Sequence, residues 1–427
     1  EVMRCAGITT LLYPVNEVAR RDAGTKRIVV RELVPVQRRR EIQFPNNLRD
    51  GENVPPSVLC NMQMLTTALL YEPKIVVNTR IVVVGGSDTG VAYLEKLVYS
   101  SHLHFTNLTL ISTDGVPEIM ENSPYVSRRC YTRVELKQTG LDHYVRIIRS
   151  TTKEFDRVLK RVKLSNGSYV AYDYLILTPG MQFDASTLHE TLAETYGVFP
   201  LNRNNHAELS DAVGIEAASF SAPLAMVYGR DLQAYAGVQF LISRGYSPER
   251  IVLAIPPLRL PSSCFDNPVV ENMVHKTLQD LGVKLLVGYR IIEWEDEKGS
   301  LSAVTVKSKE ARATQNLTNL TLLLYADETS VARETFRSIN DSCLVFDGRL
   351  VIDKYFRTQD PFIYAAGSIT KFSSRYETKW IQEFYDSREV GRKLADFMLP
   401  FFDPTCLPQP MKDNTELLAY HDAKKGG

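Results

Sequence analysis

The apolar positions along the chain form one arrangement that occurs twice. Residues 80–84 (Arg-Ile-Val-Val-Val) are a β-branched run of the kind buried on both faces of a parallel sheet. The run enters a turn at 85–90 that opens and closes on glycine. From 91 to 99 the apolar residues return at helical spacing, with Leu94, Leu97 and Val98 on one face. Residues 108–111 then read as the next strand. The same order recurs later: a strand at 224–228, a turn at Gly229, a helix at 231–243 with Gly245 suited to its C-terminal cap, and a strand at 251–255.

Each unit continues into further strands. After the first, 144–148 and 158–164 read as strands, Asn166-Gly167 as a turn, and 174–177 as an apolar strand ending at Thr178-Pro179-Gly180. After the second come a helix at 268–281, closed by Gly282, and strands at 283–287, 303–306 and 320–324. Strands at 349–352 and 362–366 and a final helix from 387 to 398, stopped by Pro400 and Pro404, complete the pattern. It predicts an α/β protein with two Rossmann-like βαβ dinucleotide-binding-type domains, the second inserted into the first, joined by antiparallel strand connections. The expected limits are an N-terminal extension or linker at 1–75, the first domain at 76–221, the inserted domain at 222–330, a return segment with the last helix at 331–403, and a tail at 404–427. In the extension, the cluster Arg38-Arg39-Arg40 reads as a solvated loop.

Composition narrows the function classes. With 427 residues, 44% hydrophobic and 23% charged, the chain can build two or three packed domains. Lys and Arg number 50 and Asp and Glu 50, so no net field draws nucleic acid. No apolar run approaches the roughly 20 residues of a membrane-spanning helix. Six cysteines are scattered with no C-x-x-C spacing, which fits a reducing cytoplasm and argues against a zinc or dithiol centre. The chain opens at Glu1 without a methionine and reads as a piece of a longer protein.

Three landmarks in order resemble the pyridine nucleotide–disulfide oxidoreductase superfamily. They are Val83-Val84-Gly85-Gly86-Ser87-Asp88-Thr89-Gly90, Tyr172-Asp173-Tyr174-Leu175-Ile176-Leu177-Thr178-Pro179-Gly180, and Ile363-Tyr364-Ala365-Ala366-Gly367-Ser368. The last two are similar to that family's Y-D-x-L-I-x-A-T-G and I-Y-A-A-G-D. The resemblance spans about residues 78–400 and implies an FAD-type first domain and an NAD(P)-type inserted one. Residues 80–114, and the stretch around 33–40, are also similar to a family of cilia- and flagella-associated proteins of the calmodulin- and spoke-associated complex at the base of an axonemal radial spoke. That second resemblance implies a place in the cytoskeleton of the cilium or flagellum, with axonemal radial spoke and calmodulin-associated proteins as partners.

At the FAD-type site the resemblance assigns Gly85, Ser87, Gly90, Ser112, Gly180, Gly367 and Ser368. Gly85 and Gly90 keep the tight turn and the helix–strand contact, but Ser87 replaces the glycine that lets backbone approach the pyrophosphate. Ser112 stands where an acid would hold the ribose, although Asp114 is near in sequence. Ser368 stands where an Asp would meet the flavin's ribityl–phosphate chain, and Pro179 removes a backbone donor. At the NAD-type site the positions are Gly229, Asp231 and Ala234. A carboxylate about 4 Å from a phosphate charge costs roughly 4 kcal/mol at an effective dielectric near 20, whereas a helix N-terminus returns at most about 2 kcal/mol. Asp231 is expected to cap the helix with its own oxygen and to occupy the phosphate's place. Arg230, which could offset the charge, is expected to be exposed.

No catalytic group stands out. Cys130, with Arg128 and Arg129 beside it, is the single redox candidate and reads as an ordinary thiol. The leading expectation is a structural protein with eroded cofactor sites, with no cofactor required and weak FAD binding the remaining possibility. The alternatives are an active FAD-dependent NAD(P)H oxidoreductase and a nucleotide-sensing module.

Overall fold

The computed structural model describes residues 28–31, 39–42, 74–116, 139–219, 223–257, 264–265, 267–308, 313–376 and 385–406. Ile28–Arg31 and Arg39–Ile42 pair as antiparallel strands. Arg39 and Arg40 therefore lie in a strand rather than in the loop expected from the arginine run; the rest of 1–73 falls outside the described residues.

Two five-stranded parallel sheets organise the chain. In the first, the central strand is Ile81–Val84 (β1). The helix Asp88–Val98 (α1) returns the chain to Leu108–Ser112 (β2), which pairs with Val145–Arg149 (β3). On the other side of β1 lies Tyr174–Leu177 (β4). In the second sheet the edge strand is Val198–Pro200 (β5) and the central strand Leu224–Gly229 (β6). Helix Leu232–Ser243 (α2) leads from β6 to Ile251–Ile255 (β7), and helix Pro268–Asp280 (α3) leads from β7 to Lys284–Val287 (β8). Leu320–Ala326 (β9) lies between β5 and β6. The chain then returns to the first sheet, where Ile363–Ala365 (β10) pairs with β4, and it ends in helix Ser387–Phe402 (α4). The strand orders are β10-β4-β1-β2-β3 and β5-β9-β6-β7-β8. Strands β1–β4 and β6–β9 follow the same order, but the edge strand beside β4 is the last of its sheet in sequence (β10), whereas the one beside β9 is the first (β5); the strands of the second sheet fall between β4 and β10. Each sheet also carries a three-stranded antiparallel meander: Thr152–Asp156, Arg161–Leu164 and Tyr169–Ala171 between β3 and β4 in the first, and Tyr289–Glu297, Ser300–Ser308 and Thr314–Thr318 between β8 and β9 in the second.

The strand runs are legible because both sheet faces are covered. Ile81, Val83, Leu110, Leu175, Leu177 and Ile363 are all fully buried. Each such side chain contributes about 1.5–3 kcal/mol of transfer free energy. Two expected elements differ. The strand placed at 158–164 begins only at Arg161. Asp156 Oδ1 accepts from the amides of Val158 and Leu159 at 3.1 and 2.8 Å, so 157–160 is a tight turn. Helix α4 also runs through Pro400 to Phe402. Proline removes one hydrogen bond in the last turn. Buried Met398 and Phe402 hold that turn, with the Phe402 ring 5.6 Å from Phe105 and 5.4 Å from Tyr174.

Helices α1 and α4 meet backbone to backbone. A methyl group on Gly391 would lie 2.2 Å from the Thr89 carbonyl oxygen. Around that contact the Tyr93 hydroxyl reaches Met398 Sδ at 3.3 Å, and Arg388 pairs with Glu95 at 3.0 Å. Gly214, on the helix His206–Ala217, has open space instead. We therefore expect opposite outcomes from two glycine substitutions in urea unfolding. Gly391→Val loses about 3 kcal/mol or more by forcing the helices apart, while Gly214→Ala gains about 0.5–1 kcal/mol from helix propensity. Equal effects would mean that the α1–α4 contact is looser than described.

Candidate functional site

In open parallel sheets ligands bind beyond the carboxyl ends of the strands, near the first βα turn. At the first turn the glycines are fixed by the chain itself. Gly85 has φ of 105°, and a methyl group there would lie 2.4 Å from Pro179 Cα. On Gly90 it would lie 2.5 Å from Thr178 Oγ1 and 2.6 Å from the Gly85 carbonyl oxygen. Thr178 Oγ1 donates to that same carbonyl at 3.1 Å. The β1 turn and the end of β4 are thus in direct contact.

The positions that would face a pyrophosphate are engaged otherwise. Ser87 is the N-cap of α1, and its hydroxyl accepts from the Gly90 amide at 3.3 Å. That amide is one of the first-turn donors a phosphate would use. Asp88 follows at the first helical position and places a carboxylate at the helix end where an anion would bind. The Gly115 carbonyl oxygen lies 2.1 Å, and Ser112 Oγ 2.8 Å, from where a Gly86 methyl would be. The loop after β2 therefore covers the turn, while Asp114 is exposed. Ser368 Oγ accepts from the Met181 amide at 3.2 Å and lies 3.5 Å from a methyl position on Gly180, tying the second landmark to the third. Gly367 has φ of 88° and faces Thr89. Asp173 of the second landmark accepts from the Arg80 amide at 2.8 Å and pairs with its guanidinium at 2.7 Å, which holds its carboxyl below the usual carboxylate range.

At the second turn the structure corrects two expectations. Asp231 occupies the N-cap position of α2, but its side chain accepts no capping hydrogen bond from the helix. Its charge acts instead on Arg230 and on Cys264. Arg230 is not exposed. Its Nε reaches Asp327 Oδ1 at 2.5 Å, with side chains only 18% and 4% exposed. The pair bridges the ends of β6 and β9. Beside it a methyl on Gly229 would lie 2.2 Å from the Ala326 carbonyl oxygen, and Ala234 is fully buried. Tyr228 and Tyr325 stack at 5.9 Å behind the turn. Burial, with the carboxylates of Asp231 and Glu271, pushes the Cys264 thiol up to about 12, so it stays protonated near neutrality. Cys130 lies outside the described residues. Among the described residues no group of three or more His, Cys, Asp or Glu is placed to hold a metal ion.

The structure brings Gly85, Ser87, Gly90 and Ser112 together at one turn, Gly180, Gly367 and Ser368 beside it, and Gly229, Asp231 and Ala234 at the other. The sequence reading passed over Asp88, Thr178 and Asp327. Asp88 and Thr178 lie within the quoted landmarks, whereas nothing local marks Asp327 as the partner of Arg230.

No protein-family model matches the chain. Cilia- and flagella-associated protein 61 of Tetrahymena thermophila is 23% identical over 493 aligned positions, covering 83% of this chain and 28% of that protein. The chain thus spans little more than a quarter of that relative's length. Several solved reductases share its fold. A ferredoxin reductase from Rhodopseudomonas palustris superposes with a TM-score of 0.58 at 15% identity, covering 74% of this chain and 75% of that one. Putidaredoxin reductase, in covalent complex with putidaredoxin, gives 0.57 at 16% identity, covering 78% and 77%. Lactococcus lactis thioredoxin reductase gives 0.55 at 13%, covering 76% and 99%. The chain shares the fold of these reductases, and its two βαβ sheets are those the strand and turn pattern predicts.

The Arg230–Asp327 pair generates a stability prediction. Arg230→Ala leaves a nearly buried carboxylate without its cation and costs about 3–5 kcal/mol in denaturant unfolding. Exchanging both partners for apolar residues of similar size costs far less. A loss below about 1 kcal/mol in the single variant would show that water reaches Asp327.

Proposed function

We propose that this chain is a non-catalytic structural unit that uses a dinucleotide-binding fold as a scaffold. One observation carries the reading. The glycines at the turns are needed by the fold itself, because Gly85, Gly90, Gly229 and Gly367 sit against backbone or side chains that leave little room for a Cβ. The motif position that only a ligand needs as glycine carries Ser87, which caps its own helix, and its counterpart in the second turn carries Asp231. The glycine pattern therefore does not require a cofactor. Ser112, Gly180 and Ser368 then serve as packing and hydrogen-bonding groups of a vestigial FAD-type site, and Gly229, Asp231 and Ala234 as those of a vestigial NAD-type site. Similarity to a cilia- and flagella-associated protein supports a place in the axonemal cytoskeleton. There the chain would contribute to radial spoke assembly and motility, alongside spoke and calmodulin-associated proteins.

An absorbance spectrum of the native purified protein tests this. We expect no stoichiometric flavin band and no NAD(P)H oxidation. FAD, NAD, NADP, ADP and ATP are each expected to give no thermal stabilisation, whereas a ligand at 100 times its Kd would stabilise by about 2.7 kcal/mol. A yellow protein with about one flavin per chain would establish the flavoprotein reading instead. Stabilisation by a nucleotide without turnover would point to a sensing module.

A further inference from the structure

The two meanders occupy equivalent places in the two sheets, yet their charges are opposite. Residues 153–163 carry five cations and two carboxylates; residues 289–297 carry one cation and four carboxylates. With the whole chain neutral, this is a segregation of charge rather than an excess.

The basic meander presents an apolar tip. Val158 is 91% and Leu159 60% exposed, at turn positions where Asn, Asp, Gly or Ser is usual. The tip is held from several sides. Besides the two amides bonded to Asp156, Arg161 Nε donates to Asp156 Oδ2 at 3.0 Å. Arg157 donates to Asp360 at 2.7 Å and to the Ser342 carbonyl at 3.2 Å. Lys160 adopts φ of 48°, and its ammonium lies 3.1 Å from the Phe362 ring centroid. A lysine in this left-handed conformation costs on the order of 1 kcal/mol, which the surrounding contacts sustain. An apolar tip fixed in advance loses little entropy on binding.

The acidic meander presents a matching edge. Tyr289–Glu297 is the outer strand of its sheet. Ile292, 47% exposed, lies where the register with the neighbouring strand shifts. Glu293, Glu295 and Glu297 are exposed beside it and form no ion pair with a described residue. Carboxylates on an edge strand deter pairing with the same edge of another copy, and they attract a basic turn.

We propose that a second copy of this chain docks here, its Val158–Leu159 turn seated on the Ile292 edge with Lys153 facing Glu293 and Glu295. The two surfaces differ, so the contact is head to tail and propagates into a row of copies or closes into a ring. This inference does not rest on the absence of a cofactor.

Sedimentation velocity of the purified full chain tests it. We expect concentration-dependent association that weakens at least about tenfold as salt shortens the Debye length from about 10 Å at 0.1 M to about 3 Å at 1 M. Two charge-reversed variants, Lys153→Glu and Glu293→Lys with Glu295→Lys, should each sediment as monomers. Mixing them should restore association, because each then offers the surface the other lacks. Leu159→Ser, a substitution of an exposed side chain, should weaken association with the unfolding midpoint unchanged. A wild-type chain that stays monomeric at every concentration overturns the proposal. So does association untouched by either charge reversal, or a mixture of the two variants that remains monomeric.

Discussion

The architecture depends on how closely the first βα turn of each sheet approaches the end of the neighbouring strand. In a parallel sheet the turn after the central strand lies at the carboxyl edge, beside the end of the strand on its other side. Here Gly85 abuts Pro179, Gly90 abuts Thr178, and Gly229 abuts the Ala326 carbonyl. A Cβ at any of these points would push β4 away from β1, or β9 from β6, and loosen cores whose central strands are almost wholly buried. Gly391 extends the constraint outward by letting α4 lie against the Thr89 carbonyl. Glycine at these places is a packing requirement first, and a ligand can exploit it only where the remaining turn positions agree.

Those remaining positions differ between the two edges. At the first, neutral hydroxyls make the contacts: Ser87 on the Gly90 amide, Thr178 on the Gly85 carbonyl and Ser368 on the Met181 amide. A typical hydrogen bond of this kind contributes only about 1 kcal/mol net, so a tightly held anion could compete for each one. Asp88 is the element that opposes it. At the second edge the contact is ionic and nearly dry. Removing Arg230 from Asp327 would leave a nearly buried carboxylate without this cation. The second edge is therefore closed by the stronger interaction, and the first by several weak ones.

Much of this was legible in the sequence, for an identifiable reason. Continuous runs such as Ile81–Val84 and Ile251–Ile255 announce strands buried on both faces, and the glycine turns mark where each run reverses into a helix. What escaped depends on partners distant in the chain. Arg230 looked like a solvated cation because Asp327 lies 97 residues away. Asp231 looked like a capping acid because N-cap composition does not say where the carboxylate points. Val158 read as strand because β-branching outweighed the Asp156 turn signal beside it. Pro400 read as a stop, although the burial of Phe402 carries the helix past it.

The duplicated sheet order gives these differences a common origin in geometry. The four strands that the two sheets share in order leave two corresponding carboxyl edges and two corresponding meanders, which differ in strand length and in side chains. The segments joining the sheets restrain them further. Gln182–Phe183, leaving the first sheet, pairs antiparallel with Thr329–Ser330, returning to it. Asn202 closes both the amide and the carbonyl of Phe183 at 2.8 and 2.6 Å, and Ser330 donates to Asp184 at 2.7 Å. A paired and side-chain-bonded connection resists the twisting that a single flexible linker would permit. Such a connection restrains the two meanders relative to one another, which is what repeated docking between copies, or onto a larger assembly, would demand of the fold.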